Sequence, residues 1–225
     1  GSILEDDDQL GLAHFVEHMA FNGTKNFPKH ELIEFIESLG MRFGAHLNAY
    51  TSFDETVYML QVPTDKPATM EKSFQVLQDW AQNVSFDDPE IEKERGVVLE
   101  EWRSSRGAGM RTTEKIFPVM FKGSRYANRL PIGKPEIIQG GKAERIKQYY
   151  KDWYRPDLMA VIAVGDFDKA AIEKHVTTHF GSMPEATSPR PRQTFDLPDR
   201  TDTGYSINTD KETTTTSVQV NTLLP

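Results

Sequence analysis

The spacing of apolar residues along the chain predicts seven amphipathic helices. In each one, apolar side chains recur every three to four positions, so that they gather on one face. The predicted helices span residues 11–20, 29–39, 67–84, 88–106, 111–122, 142–153 and 168–180. In the helix at 67–84, Phe74, Leu77 and Trp80 follow this spacing, and we expect that stripe to face the core.

Three segments rich in β-branched and apolar residues predict strands instead. Residues 46–50 and 56–62 are two strands joined by a short connection, and residues 158–164 predict a buried strand. Mixed helices and strands with adjacent paired strands favour an α+β domain over a Rossmann fold. We therefore expect a layered α+β domain in which a mixed, largely antiparallel sheet packs against helices.

The C-terminal part of the chain changes in composition, which predicts a domain boundary. Four prolines between residues 184 and 200 lie among polar residues and predict an extended linker. Beyond it, residues 204–208 and 213–222 alternate like strands. We expect a domain at residues 1–183, a linker at 184–202 and the start of a second domain of similar fold at 203–225.

The composition and net charge of the chain argue against several classes of function. The chain has 225 residues, 37% hydrophobic and 27% charged, which suffices for a packed core. The net charge of −8 argues against nucleic acid as a main partner. The absence of cysteine excludes disulfides and cysteine chemistry but leaves the compartment open. No apolar run approaches the roughly 20 residues of a membrane span, and no signal peptide is visible.

A five-residue motif near the N-terminus supplies candidate chemistry. His14-Phe15-Val16-Glu17-His18 has the order H-x-x-E-H. On a helix, His14 and His18 lie one turn apart on one face, with Glu17 beside them. Two imidazoles can hold zinc, and a nearby carboxylate can take a proton from water. The neighbouring apolar residues, such as Leu12 and Met19, place this face against a core, where polar imidazoles need partners.

A second histidine pair in the chain has the same spacing. His175 and His179 are four residues apart, but no carboxylate lies between them. Their segment predicts an exposed helix that ends at Gly181. We therefore expect this pair to bind no physiological metal.

The remaining metal ligand is expected on the helix at 88–106. Asp87 or Asp88 can cap its start, and Pro89 suits its first turn. Glu94 and Glu101 are seven residues apart and share one face. Either carboxylate can supply the ligand, and the alternative is that both are solvated surface charges.

The motifs resemble those of the pitrilysin/insulysin family of zinc metallopeptidases, which includes the mitochondrial processing peptidases. Four blocks of sequence carry the resemblance, and they occur in the family's order. They are residues 11–24 with the HxxEH motif, 48–58 with Asn-Ala-Tyr-Thr, 94–101 with Glu-Arg-Gly-Val-Val-Leu-Glu-Glu, and 154–166 with Tyr-Arg-Pro. The resemblance implies a pitrilysin-like fold, which agrees with the predicted α+β class.

The resemblance also implies roles for individual residues. His14, His18 and Glu101 would bind one zinc ion, Glu17 would act as the general base on water activated by zinc, and Glu94 would support the site. The interval of 83 residues from His18 to Glu101 is longer than expected for the family, so Glu94 stays open as the third ligand. A helix turns by about 100° per residue, which disfavours Glu100.

By the same resemblance, Asn48, Ala49 and Tyr50 belong to an edge strand that an extended peptide substrate can join. The alternative is an ordinary sheet edge. The implied function is a zinc-dependent endopeptidase acting on peptides or unfolded proteins. A non-catalytic structural or chaperone-like relative, or a different metal hydrolase, would be the alternatives.

The resemblance further implies that the chain is a fragment. We expect strands to be missing before residue 1 and a C-terminal half, or a partner subunit, to complete the site. The isolated fragment should therefore bind zinc but cleave peptides poorly. The segment itself carries no targeting information, and a bacterial periplasmic location rests on the resemblance alone.

Overall fold

The computed structural model describes residues 1–222, in which eight α-helices surround a small antiparallel sheet. All seven predicted helices are present, with ends shifted by three residues at most. The elements are α1 (Leu12–Met19), α2 (Glu31–Ser38), β1 (Leu47–Thr51), β2 (Thr56–Leu60), α3 (Pro67–Gln82), α4 (Asp88–Ser104), α5 (Ala108–Met120), α6 (Pro135–Gly140), α7 (Ala143–Trp153) and α8 (Lys169–Phe180). Helix α6 was not predicted, because six residues are too few to establish a helical period.

The sheet within residues 1–222 contains only β1 and β2, so it is smaller than predicted. The two strands pair antiparallel, with Leu47 opposite Leu60 and Thr51 opposite Thr56. The predicted buried strand at 158–164 is wrong: Ile162 is 83% exposed and Val164 92% exposed, and neither lies in a strand. A strand requires a hydrogen-bonded neighbour, and among residues 1–222 none lies beside this segment.

The segment after α8 has no regular structure as far as residue 222. Arg190 holds part of this segment to the rest of the chain through ion pairs with Asp6 and Asp152. The strands predicted at 204–208 and 213–222 are wrong. Their apolar side chains, among them Ile207 and Val220, are exposed and have no partner strand in the described part of the chain.

Helix α1 lies at the centre of the core. Leu12, Phe15, Val16 and Met19 are at most 1% exposed, and α1 packs against α4, α7 and β1. The apolar residues cover most of its circumference. The remaining face carries the two histidines and points towards α4, which gives them a fixed direction.

Two buried polar groups anchor the elements next to α1. Asp79 on α3 is fully buried, and its carboxylate accepts hydrogen bonds from Thr24 Oγ1 at 2.7 Å and from the Asn26 amide at 2.9 Å. Arg95 on α4 donates to the carbonyl oxygens of Ile138 and Gly141, both at 2.6 Å. Because a buried polar group without partners is costly, these bonds fix the loop after α1 and the position of α4.

The helix boundaries show one further difference at the start of α4. Asp87 occupies the N-cap position and Pro89 lies in the first turn, as predicted, but the Asp87 side chain makes no capping hydrogen bond.

Within residues 1–222, no helix combines the length and the apolar character needed to cross a membrane.

Candidate metal centre

His14 and His18 lie on one face of α1, as their spacing predicts. Their ring centroids are 4.6 Å apart, and the two Nε2 atoms are separated by 3.2 Å. Both side chains are largely buried, with exposures of 13% and 19%. The pair therefore presents two nitrogen ligands to the same point.

Helix α4 brings Glu101 to that point. Its carboxylate oxygens lie 3.6 Å from His14 Nε2 and 3.3 Å from His18 Nε2. One ligand atom from each of the three residues lies within 4.8 Å of the others. Two imidazole nitrogens and one carboxylate oxygen form a common ligand set of catalytic zinc sites, and the residues present fit that metal.

Glu94 lies on the same face of α4, two turns before Glu101, and occupies a different position in the centre. Its carboxylate accepts a hydrogen bond from His18 Nδ1 at 2.7 Å and another from the Asn22 side chain. Because Nδ1 is bonded to Glu94, Nε2 is the His18 nitrogen that faces Glu101 and His14. Glu100 points elsewhere and pairs with Arg103 at 3.3 Å.

The pKa values of the two histidines are shifted in opposite directions. Burial, and then the charge of His18, lowers the pKa of His14 to about 4. Burial also lowers the pKa of His18, but hydrogen bonds to Glu101 and Glu94 outweigh it and raise this pKa to about 9. The hydrogen bond from His18 in turn lowers the pKa of Glu101. Without metal, His18 therefore holds a proton that a metal must displace.

Glu17 lies next to the ligand cluster and is 7% exposed. Its Oε2 accepts a hydrogen bond from Thr51 Oγ1 at 2.6 Å, and Thr51 belongs to β1. Burial raises the pKa of Glu17 above its usual range, and the Thr51 hydrogen bond opposes that rise. The sequence placed Thr51 in a matching block but gave it no role, because its contact with Glu17 joins two distant elements.

The cluster opens into a groove of about 740 Å³. Asn48, Ala49 and Tyr50 line this groove together with Thr51, so β1 forms one of its walls. In an antiparallel pair, residues whose backbone groups bond to the partner strand alternate with residues whose groups point away from it. His46 and Ser52 bond to the chain around β2, and Ala49 lies an odd number of residues from both, so the Ala49 N–H points away from β2. That N–H is bonded to Asn48 Oδ1 at 2.9 Å.

Further residues complete the lining of the groove. They are Phe21, Asn22, His30, Ile33, Phe43, Glu94, Val97, Pro131 and Ile132.

Glu5 supports the centre from the opposite end of α1, and the sequence did not reveal it. It is fully buried, and its Oε1 accepts hydrogen bonds from the amides of Gly11 at 3.0 Å and Ala13 at 2.8 Å. A capping residue is expected directly before a helix, whereas Glu5 lies six residues before Gly11. Burial raises the pKa of Glu5 to about 8, although the two amide hydrogen bonds oppose the rise.

Because the pKa of Glu5 is raised, we expect the free energy of unfolding of the chain to fall as the pH rises. The folded chain retains this proton up to about pH 8, whereas an unfolded glutamate releases it near 4.5, so the native state binds more protons between these values. The free energy of unfolding should then decrease by at most about 1.4 kcal/mol per pH unit across this window. Melting temperatures of the wild type and of Glu5→Gln, measured from about pH 5 to 8, should show a weaker decline in the variant.

A suitable control for this experiment is Glu37→Gln, because Glu37 is an exposed residue of α2. It should reproduce the wild-type decline. Parallel declines in the wild type and Glu5→Gln would show that Glu5 does not contribute to the pH dependence.

Comparison with known proteins relates the chain to a protein family. A family model described as insulinase, peptidase family M16, matches residues 1–130. A second model, described as the peptidase M16 inactive domain, matches residues 142–225. The candidate ligands His14, His18 and Glu101 all lie within the first match.

Individual relatives cover most of this chain. A zinc protease PQQL-like protein of Arabidopsis thaliana is 38% identical over 226 residues, which cover 100% of this chain and 24% of the plant protein. A probable zinc protease PqqL of Haemophilus influenzae is 44% identical over 174 residues, which cover 77% of this chain and 19% of that protein. The chain thus spans a quarter or less of the length of these two relatives.

A solved structure has a similar fold. The crystal structure of the first half of the periplasmic protease PqqL from Escherichia coli matches with a TM-score of 0.82 and 36% sequence identity. The match covers 89% of this chain and 42% of the solved chain. The arrangement of helices around β1 and β2 therefore recurs in a related protein.

Proposed function

Since the chain belongs to the insulinase family, peptidase family M16, we propose that it forms the zinc-binding catalytic part of a metalloendopeptidase. Membership of this family confirms the resemblance seen in the sequence motifs. The observation that carries the proposal is the convergence of His14, His18 and Glu101 beside Glu17 in one groove. We expect peptides or unfolded proteins as substrates, since an edge strand lines that groove.

We propose that His14 Nε2, His18 Nε2 and the Glu101 carboxylate hold one zinc ion. Bound there, zinc would act as a Lewis acid and lower the pKa of water in the groove. Glu94 would keep His18 in the required tautomer, because it accepts the proton on Nδ1, so that the proton on Nε2 would be the one that the metal displaces. His14 needs no such help, since burial already favours its neutral form.

Glu17 is the proposed general base. Its raised pKa brings the carboxylate closer to the pKa of an efficient proton acceptor at neutral pH. Thr51 occupies Oε2, so Oε1 remains available to take a proton from the attacking water. Glu17 would then pass this proton to the nitrogen of the leaving amine, which completes hydrolysis of the peptide bond.

The outer edge of β1 is the proposed substrate-binding strand. An extended peptide can pair with this edge through main-chain hydrogen bonds, which tolerate varied side chains. The Asn48 side chain now accepts the hydrogen bond of the Ala49 amide, so we expect a substrate carbonyl to displace it. Tyr50 lies 43% exposed in the same wall and offers an apolar surface to the peptide.

The alternatives from the sequence are less well supported. A non-catalytic relative would need neither the general base nor the ligands, yet Glu17, His14, His18, Glu94 and Glu101 are all grouped in the groove. A different metal hydrolase would not require the edge strand. We therefore retain the endopeptidase as the proposed function.

Other expectations also remain proposals. A further segment of the same protein or a partner subunit would complete the active site, in keeping with the fraction of the relatives that this chain spans. We also propose the bacterial periplasm as its location, since the Escherichia coli relative is described as periplasmic. We propose further that the chain is divided into a domain at 1–183, a linker at 184–202 and a second domain of similar fold from 203. A mixed sheet larger than the pair of β1 and β2 is also part of this proposal.

Removal of metal tests the proposed function. We expect the 225-residue chain to cleave an internally quenched peptide slowly, with kcat/KM below about 10⁴ M⁻¹s⁻¹, the lower end of the usual range for enzymes. Chelation followed by dialysis should abolish cleavage, and added Zn²⁺ should restore it. Cleavage that continues undiminished in the metal-free protein would contradict the proposal, and a rate typical of efficient peptidases would contradict the need for a further segment.

A further inference from the structure

A second cluster of metal-binding side chains lies between α3 and α8. It consists of Glu71 on α3 with His175 and His179 on α8. The two oxygens of the Glu71 carboxylate lie 3.2 Å from His175 Nδ1 and 3.2 Å from His179 Nε2. The sequence predicted a metal-free pair because no carboxylate lies between the histidines, but the fold supplies one from another helix.

The orientation of His179 suits a metal ligand. The helix is not fully exposed as predicted, because His179 is only 7% exposed. Its Nδ1 lies 3.0 Å from Gln78 Oε1, which can only accept a hydrogen bond, so the proton resides on Nδ1. Nε2 then carries a free lone pair directed towards Glu71. Such a partner on the second nitrogen is typical of histidines that bind metals.

The Nε2 atom of His179 is buried without a hydrogen bond to any residue from 1 to 222. Although Glu71 Oε1 lies 3.2 Å away, the geometry does not form a hydrogen bond. Buried ring nitrogens in native proteins are normally satisfied, and each exception needs a partner. A cation placed between this lone pair and the carboxylate would satisfy both groups.

The separations between ligand atoms are short enough for one ion to be shared. Bonds of about 2.0–2.2 Å at tetrahedral angles place two ligand atoms roughly 3.3 Å apart. Each histidine nitrogen lies 3.2 Å from a different oxygen of Glu71, and one ligand atom from each of the three residues lies within 4.8 Å of the others. The ligand types are also the same in the two clusters, namely two histidines one helical turn apart and a glutamate from a neighbouring helix.

Phe74 holds the histidine pair in place. Its ring stacks on His175 with centroids 5.0 Å apart and an angle of 6°, and it stacks on His179 at 6.1 Å. Phe74 itself is buried, at 4% exposure. Both imidazoles are therefore supported from one side and present their nitrogens towards Glu71, which makes the site partly preformed.

We propose that Glu71, His175 and His179 bind a second divalent transition metal of the zinc type, separate from the peptidase site. Three protein ligands leave one position for water. No carboxylate corresponds to Glu17, because the residue three positions after His175 is Thr178. The metal would therefore serve to fasten α8 to α3 rather than to hydrolyse a substrate.

Metal content measured on the untagged 225-residue chain, with Zn²⁺ as the probe, tests this second site. We expect two zinc ions per wild-type chain and one in the variant His14→Gln/His18→Gln. Adding Glu71→Gln to that variant should remove the remaining ion, whereas Glu173→Gln, an exposed glutamate of α8, should not. Saturating zinc should raise the Tm of the double variant by about 5 °C, and Glu71→Gln should abolish this rise.

The outcomes separate a metal site from a simple ion pair. If His14→Gln/His18→Gln is folded by circular dichroism but binds no zinc, Glu71 and the two histidines form an ion pair and the proposal is wrong. Retention of zinc in the triple variant would equally overturn it. Should the double variant fail to fold, His175→Gln in the wild-type background must lower the zinc content from two ions to one.

Discussion

Replacing Glu17 by glutamine is expected to slow peptide hydrolysis by about 10³-fold while zinc remains bound. Glutamine has nearly the same shape and can still accept the hydrogen bond from Thr51 Oγ1, but it cannot take a proton from water. The ligand atoms of His14, His18 and Glu101 are unchanged by this substitution. The measurement is single-turnover cleavage of a quenched peptide with the chain in excess, together with metal content.

Two further variants make this result specific. Glu37→Gln removes a charge from an exposed position on α2 and should leave the rate unchanged. Thr51→Val removes the hydrogen bond that orients Glu17 and should lower the rate by about 10-fold, less than the loss of the base itself. Normal hydrolysis by Glu17→Gln with zinc bound would show that another group accepts the proton.

Glu101→Gln is expected to lower the zinc content by one ion per chain, whereas Glu94→Gln should keep the ion. Glu101 faces the Nε2 atoms of both histidines, so its replacement removes a charged ligand atom from the centre. The Glu94 carboxylate accepts hydrogen bonds from His18 Nδ1 and Asn22, and its loss should weaken zinc binding by about 10- to 100-fold. Competition with a chromophoric chelator, combined with elemental analysis, measures both effects.

Glu100→Gln is the matched control for these two variants. It lies on the same helix, next to Glu101, but its carboxylate pairs with exposed Arg103 and not with the histidines. Its zinc content and affinity should equal those of the wild type. A loss of zinc in Glu94→Gln with retention in Glu101→Gln would reverse the proposed ligand assignment.

Short-range patterns were sufficient for much of the fold. The seven predicted helices are present because their apolar stripes depend only on residues three to four positions apart, and β1 and β2 are present because they pair across a short connection. The segment at 158–164 has the composition of a buried strand but lacks a strand beside it within residues 1–222. Composition alone cannot supply that neighbour.

In the candidate metal centre too, the sequence predicted part of the arrangement and the rest required the structure. The sequence by itself determined that His14, Glu17 and His18 share one region of α1, since the helical repeat places residues i, i+3 and i+4 together. It also placed Glu94 and Glu101 on one face of α4, but it left open which of them meets the histidines. The structure separates them, because Glu101 faces both Nε2 atoms and Glu94 faces Nδ1 of His18.

Only the tertiary structure brought in the groups that are distant along the chain. Glu5 accepts a hydrogen bond from the first turn of α1, and Glu17 accepts one from Thr51. The Glu71 carboxylate lies against the second histidine pair. None of these contacts follows from a helical or strand repeat, because each joins separate elements whose relative position is set by packing of the core. Local geometry thus determined which side chains share a face, and packing decided which faces meet.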